Sequence, residues 1–249
     1  MMSTTPFPPA RKRAAMRSVL AATALLVCQA ALANDRPYDQ LRTAVAEDDD
    51  QVWSFESWVQ KLGSVRSFSV EPEYTFDPAN SLQMELTRHV DRQGTDTGHA
   101  AEVEYKHLFN RLSREGWGAG VSLSVGAERL RSSDLTVKTL AFKLPISLDL
   151  GQLTSGQSTG TLMHLNVGLH KANSEPRQWD RAVGLEQALF KRSVLFAELA
   201  MQGDERSGQI GLRHWVKREK LVLDIAWQQR RIATERSAGW IAGIGWYDL

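Results

Sequence analysis

The stretch Leu140-Ala141-Phe142-Lys143-Leu144-Pro145-Ile146-Ser147-Leu148-Asp149-Leu150 sets a large apolar side chain against a small, polar or charged one at every step. Period two marks a β-strand whose faces meet unlike surroundings. The run is longer than the roughly 5 or 6 residues usual in soluble proteins, and matches the roughly 9 to 11 that a tilted strand needs to cross a bilayer.

The same alternation recurs on both sides. Leu82, Met84 and Leu86 alternate with Gln83, Glu85 and Thr87, and Val121, Leu123 and Val125 with Gly120, Ser122 and Ser124. Met163 to His170 and Leu221 to Gln228 repeat it. Turn-forming residues between the runs divide the chain into candidate strands at Val52 to Gln60, Ser67 to Phe76, Ser81 to Val90, His99 to Asn110, Trp117 to Glu128, Thr136 to Leu150, Thr161 to Lys171, Trp179 to Leu189, Val194 to Gln202, Gly208 to Val216, Lys220 to Arg230 and Gly239 to Leu249. The predicted fold is an all-β antiparallel transmembrane β-barrel of about 12 strands over residues 52–249. A soluble periplasmic sandwich, whose facing sheets also produce alternation, is the competing architecture. Composition excludes two other classes: 42% hydrophobic residues and a mean hydropathy of −0.33 fit neither a disordered polar chain nor a bundle of membrane helices.

Residues 1–33 read as a signal peptide. Arg11, Lys12, Arg13 and Arg17 precede an apolar run from Val19 to Val27, and Ala31-Leu32-Ala33 supplies the small residues of a cleavage site. Cys28, the only cysteine, leaves with that segment, so the mature chain has neither disulfide nor thiolate ligand. Loss of those basic residues turns the formal net charge of +1 mildly acidic, which argues against nucleic acid as a partner. Residues 34–51, acidic and containing Pro37, read as a flexible periplasmic leader.

Connection lengths suggest an orientation. Links from even to odd strands read as tight, as at Asp77-Pro78-Ala79-Asn80, Phe190 to Ser193 and Lys217 to Glu219. Links from odd to even read as longer and polar, as at Asp91 to Gly98, Ala172 to Gln178 and Arg231 to Ala238, with Gly151 to Gly160 the exception on the short side. Short periplasmic turns and longer outer loops are the asymmetry of outer-membrane barrels. Tyr74, Trp117, Trp179, Trp240 and Trp246 fall near strand ends with the parity of the apolar face, where amphipathic rings anchor at a membrane interface. Trp215 has the opposite parity and should point inward.

The polar parity would line the lumen with Glu56, Glu71, Glu73, Glu85, Glu102, Glu104, Asp149, His164, Glu186, Glu198 and Asp224, opposed by Lys106, Lys143 and Arg213. Excess carboxylate favours cations if the lumen is open; the alternative is that the acids pair with arginines and fill it. A metal site is not expected, because His164 and His170 lie roughly 20 Å apart along one strand. No cofactor motif and no catalytic constellation is present. A lipid hydrolase is the enzyme alternative, yet the outward histidines His107 and His214 lie on strands that are not neighbours.

The entry Ala44 to Asp50 leading into Val52-Trp53-Ser54-Phe55-Glu56, followed by Phe68 to Tyr74 and Asn80 to Leu86, resembles the opening of the outer-membrane beta-barrel family associated with the meta pathway of phenol degradation. The resemblance spans about the first three strands and carries no functional residues over. It implies an outer-membrane transporter of small, aromatic solutes. Expected partners are outer-membrane lipid and lipopolysaccharide, the barrel-assembly machinery and a small aromatic or cationic solute. A closed structural or adhesive barrel is the alternative function. The terminal Trp246-Tyr247-Asp248-Leu249 departs from such barrels by ending on Leu rather than an aromatic.

Overall fold

In the computed structural model, which describes residues 38–45, 52–130, 136–173, 175–247 and 249, twelve strands follow one another around a cylinder. They are β1 (Val52–Leu62), β2 (Val65–Asp77), β3 (Asn80–Val90), β4 (Asp96–Leu108), β5 (Trp117–Leu130), β6 (Thr136–Asp149), β7 (Thr161–Ala172), β8 (Gln178–Phe190), β9 (Ser193–Gln202), β10 (Glu205–Lys217), β11 (Leu221–Ile232) and β12 (Glu235–Trp246). Every pair is antiparallel, and β1 meets β12 from Phe55 opposite Trp246 to Leu62 opposite Gly239. Closure leaves no unpaired edge in the ladder, as a hydrocarbon surrounding demands.

Alternation decides which side is which. Leu140, Phe142, Leu144 and Ile146 are exposed on the outer wall, whereas Ser147 and Asp149 are buried within. Two facing sheets would have buried the leucines against each other, so the sandwich is excluded. Outward aromatics band both rims. At the rim that holds both strand termini, the terminal rim, Tyr74 packs between Trp53 and Phe76, with Trp117 and Trp246 nearby in depth. Trp179, Trp227 and Trp240 lie toward the opposite, distal rim, where Trp227 faces Trp240 in register. Trp215 does point inward: with Val222 and Tyr247 it forms a buried apolar cluster near the terminal rim.

Among the described residues the expected rim asymmetry is not found. Arg231 pairs with Arg236 and Ile232 with Glu235, so the segment read as a long loop is mostly strand. Polar residues there continue the ladder beyond the apolar belt, and polarity alone misplaced the strand ends. The longest connections among the described residues lie instead at the terminal rim, where each folds a short helix: α1 (Leu112–Glu115) between β4 and β5, and α2 (Leu150–Ser155) between β6 and β7. Asp149 caps α2, its carboxylate accepting from the Gln152 amide at 3.0 Å.

Residues 38–45 correct a second expectation. This part of the segment read as a flexible periplasmic leader lies inside the barrel, with Tyr38, Leu41, Thr43 and Ala44 wholly buried. The signal-peptide reading concerns residues outside those described.

Candidate functional site

The strands bring one set of residues to the lumen because the closed ladder leaves alternate side chains no other direction. Every Asp and Glu within the strands carries inward parity except Asp96, which a bulge turns toward the outward Arg88 and His99, so the lumen wall is acid-rich. In register, Glu56 faces Glu71 and Glu85 faces Glu102, pairs of like charge that destabilise a sheet unless something cationic stands between them. The segment 38–45 supplies part of that complement.

Val45 lies near the terminal rim, in an apolar cluster with Leu112 and Leu162. From there the segment runs back along the lumen. The Ala44 amide donates to Ser147 Oγ at 2.8 Å, and Ser147 Oγ lies 2.8 Å from His164 Nδ1. Arg42 reaches across: its Nε donates to Glu104 at 2.8 Å, its guanidinium lies 3.6 Å from Glu102, and its backbone exchanges two hydrogen bonds with the Asn166 amide. One carboxylate then holds three consecutive amides, since Glu198 accepts from Asp39, Gln40 and Leu41 at 2.8 to 2.9 Å. Lys143 Nζ donates to the Gln40 carbonyl at 2.8 Å. Toward the distal rim, Arg230 pairs with Asp39 at 2.9 Å and with Glu205 at 3.0 Å.

Tyr38 ends the described segment. Its hydroxyl donates to Glu186 Oε1 at 3.0 Å, and its ring stands edge-on to Phe196 and His164 at 5.8 and 5.7 Å. Trp58, Leu41, Ala226 and Ile241 complete this apolar patch within an otherwise polar lumen. Aromatic edge-to-face contacts favour that geometry, and the hydroxyl needs its acceptor at this depth.

The sequence-derived lumen residues are placed as follows. Glu102, Glu104 and Lys143 bind the segment directly, Glu186 binds Tyr38, and His164 lies 3.5 Å from Glu186. Glu71, Glu73 and Lys106 are buried in the wall, Glu85 accepts from Thr87 at 2.8 Å, and Asp149 caps α2. Arg213 and Asp224 form a two-bond pair at 2.9 and 3.1 Å. Sequence parity put Glu198, Asn166 and Ser147 on the inward face but gave no sign of their role as anchors, and it missed the segment itself. The available signal was small residues on the inward face: a Cβ at Gly184 would crowd Leu41 and Tyr38 at 3.0 to 3.3 Å, and one at Gly118 would collide with the Ala44 carbonyl.

That collision makes a test. Because a backbone carbonyl cannot swing aside, Gly118→Val should loosen the segment by about 1–3 kcal/mol of overpacking while altering no charge. Trypsin cleavage after Arg42 in the folded barrel should accelerate on the order of tenfold, as the open population rises. An unchanged rate would mean that the segment is not held where Gly118 admits it.

Two further pairings concern catalysis. On the outer wall near the terminal rim, Ser193 Oγ lies 2.9 Å from His214 Nδ1, while His107 Nδ1 lies 2.8 Å from Asn80. His214 has no acidic partner among the described residues. Among the same residues, no group of three or more His, Cys, Asp or Glu is placed to share a metal ion.

No family model matches the chain, and no curated protein matches it. Solved structures do. The KdgM porin superposes with a TM-score of 0.57 at 10% identity, over 78% of this chain and 98% of that one. The KdgM porin in complex with disordered oligogalacturonate gives 0.56 at 10% identity, over 78% and 98%. The NanC porin gives 0.56 at 8%, over 78% and 98%. At such identities the likeness establishes the fold: this is a barrel of the outer-membrane type.

Proposed function

We propose that the chain is an outer-membrane pore for small aromatic or cationic solutes, closed in the described state by its own residues 38–45. The observation that carries the reading is that the wall already holds, without covalent attachment, a phenol at Glu186 and Phe196 and a guanidinium at Glu104 and Glu102. A free solute bearing either group would meet the same partners. The fold shared with porins and the resemblance to a transporter family point the same way. The oligogalacturonate bound by KdgM is an anion, which this acid-rich wall would not select. No hydrolytic step is assigned, since no carboxylate among the described residues orients the imidazole of the outer Ser193–His214 pair.

A second reading, a closed structural barrel, is favoured by the number of polar contacts that hold the segment. Glu198→Gln separates the two. The neutral amide keeps its shape but loses charge-assisted bonds to three amides, a cost of about 2 kcal/mol. The open fraction should therefore rise roughly thirtyfold. Planar-bilayer recordings of the variant should show more frequent openings than the native chain, with a reversal potential in a salt gradient of the sign for cations. Silent membranes for both proteins would favour the structural barrel.

A further inference from the structure

Toward the distal rim the outer wall is predominantly basic, where the lumen wall is predominantly acidic. Among the strand acids only Asp96 meets outward bases, lying past a bulge opposite Val90 at 3.4 Å from Arg88 and 2.9 Å from His99, whereas every strand except β9 carries an outward Lys, Arg or His toward the distal rim. The row is densest on the last three strands, where Arg206 is the register partner of Arg231, and Arg231 of Arg236. Neighbouring strands lie about 4.8 Å apart, so three exposed guanidinium-bearing residues stand side by side in mutual repulsion. Among the described residues neither Arg206 nor Arg236 has an acidic partner. Arg231 spends one donor on the Ala233 carbonyl at 3.0 Å.

Directly below this row the wall is hollowed. A groove of about 680 Å³ is lined by Arg206 and Arg231 at its upper end and by Leu185, Leu199, Ile210 and Trp227 along its sides. Gly208, outward on β10, keeps it open: a side chain there would project beside Leu199. β9, which forms part of its floor, carries Met201 where other strands carry a base, so the basic row is interrupted above the groove.

We propose that this face binds one phosphorylated, acylated glycolipid of the outer leaflet, with a phosphate across Arg206, Arg231 and Arg236 and an acyl chain in the groove. Bidentate guanidinium contacts suit a phosphate and relieve the repulsion of the row. The apolar channel beneath gives a chain attached to that phosphate a place that bulk lipid would otherwise fill. A free phosphate would use the arginines and leave the groove unused. The assignment rests on the distal rim facing outward, not on whether the lumen conducts.

Native mass spectrometry of the full-length barrel in detergent tests it, with bisphosphorylated acylated glucosamine disaccharide, phosphatidylglycerol and inorganic phosphate as separate probes. The disaccharide lipid should be retained most strongly. Changing Arg206, Arg231 and Arg236 together to Gln should weaken that retention roughly tenfold to a hundredfold. Gly208→Leu, which fills the groove and leaves the arginines, should weaken the lipid but not inorganic phosphate. Retention of heat-modifiable gel mobility would show that each variant is folded. Equal retention of all three probes, or lipid retention unchanged in both variants, would overturn the site.

Discussion

Deletion of residues 38–45, joining residue 37 to residue 46, is expected to turn a barrel that opens rarely into one that conducts continuously. The closing ladder needs no backbone bond from the segment, because β1 meets β12 directly from Phe55 to Leu62. The protein should therefore still resist dodecyl sulfate until boiled. What the deletion removes is the axial filling: the Leu41 and Tyr38 side chains beneath Gly184, the Arg42 bridge between β4 and β7, and the amides held by Glu198. A docking free energy of only about 3 kcal/mol would keep the segment in place about 99% of the time, so its loss should raise mean current roughly a hundredfold. Glu102, Glu104, Glu186 and Glu198 would then face water, and the current should be carried by cations. A folded deletion variant that stays silent would mean that the wall side chains collapse into the space, and the pore reading would fall.

This prediction depends on the region that was least legible in the sequence. The strands could be read because two different surroundings impose a period of two over many residues; Leu140 to Leu150 could face a boundary in only one way. Parity alone also brought Glu102, Glu104, Lys143 and Glu186 to the lumen. Tyr38 to Val45 offers no such period. Its contacts reach as far as 191 positions away, at Glu104, Ser147, Asn166, Glu186, Glu198 and Arg230, and no local pattern encodes a partner at such a separation. Strand ends suffered from a related confusion: beyond the apolar belt, Arg231 and Arg236 are hydrophilic like loop residues, yet their backbones still pair.

Arg213→Met is expected to cost the barrel about 3–5 kcal/mol, the largest loss of stability foreseen for a single wall substitution. Arg213 is register partner to Asp224, and its guanidinium holds both carboxylate oxygens while only 3% of the residue is exposed. Methionine fills similar volume and leaves Asp224 charged without its partner, so the penalty is desolvation rather than a cavity. Replacing both residues, Arg213→Met with Asp224→Leu, removes the charge along with its partner and should recover most of the loss. Denaturant midpoints in lipid vesicles, read by tryptophan fluorescence, measure each. The same cycle in the barrel lacking residues 38–45 asks how dry the lumen is at this depth, since Tyr38 packs with Phe196 and Ala226, which lie one inward position from Val194 and Asp224, the register partners of Arg213. If water enters when the segment leaves, Asp224 is solvated once unpaired, and the cost of Arg213→Met should fall to about 1 kcal/mol or less. The difference between the two cycles is then a coupling energy between the segment and the wall. An equal cost in both barrels would place the pair in a part of the wall that the segment does not shield.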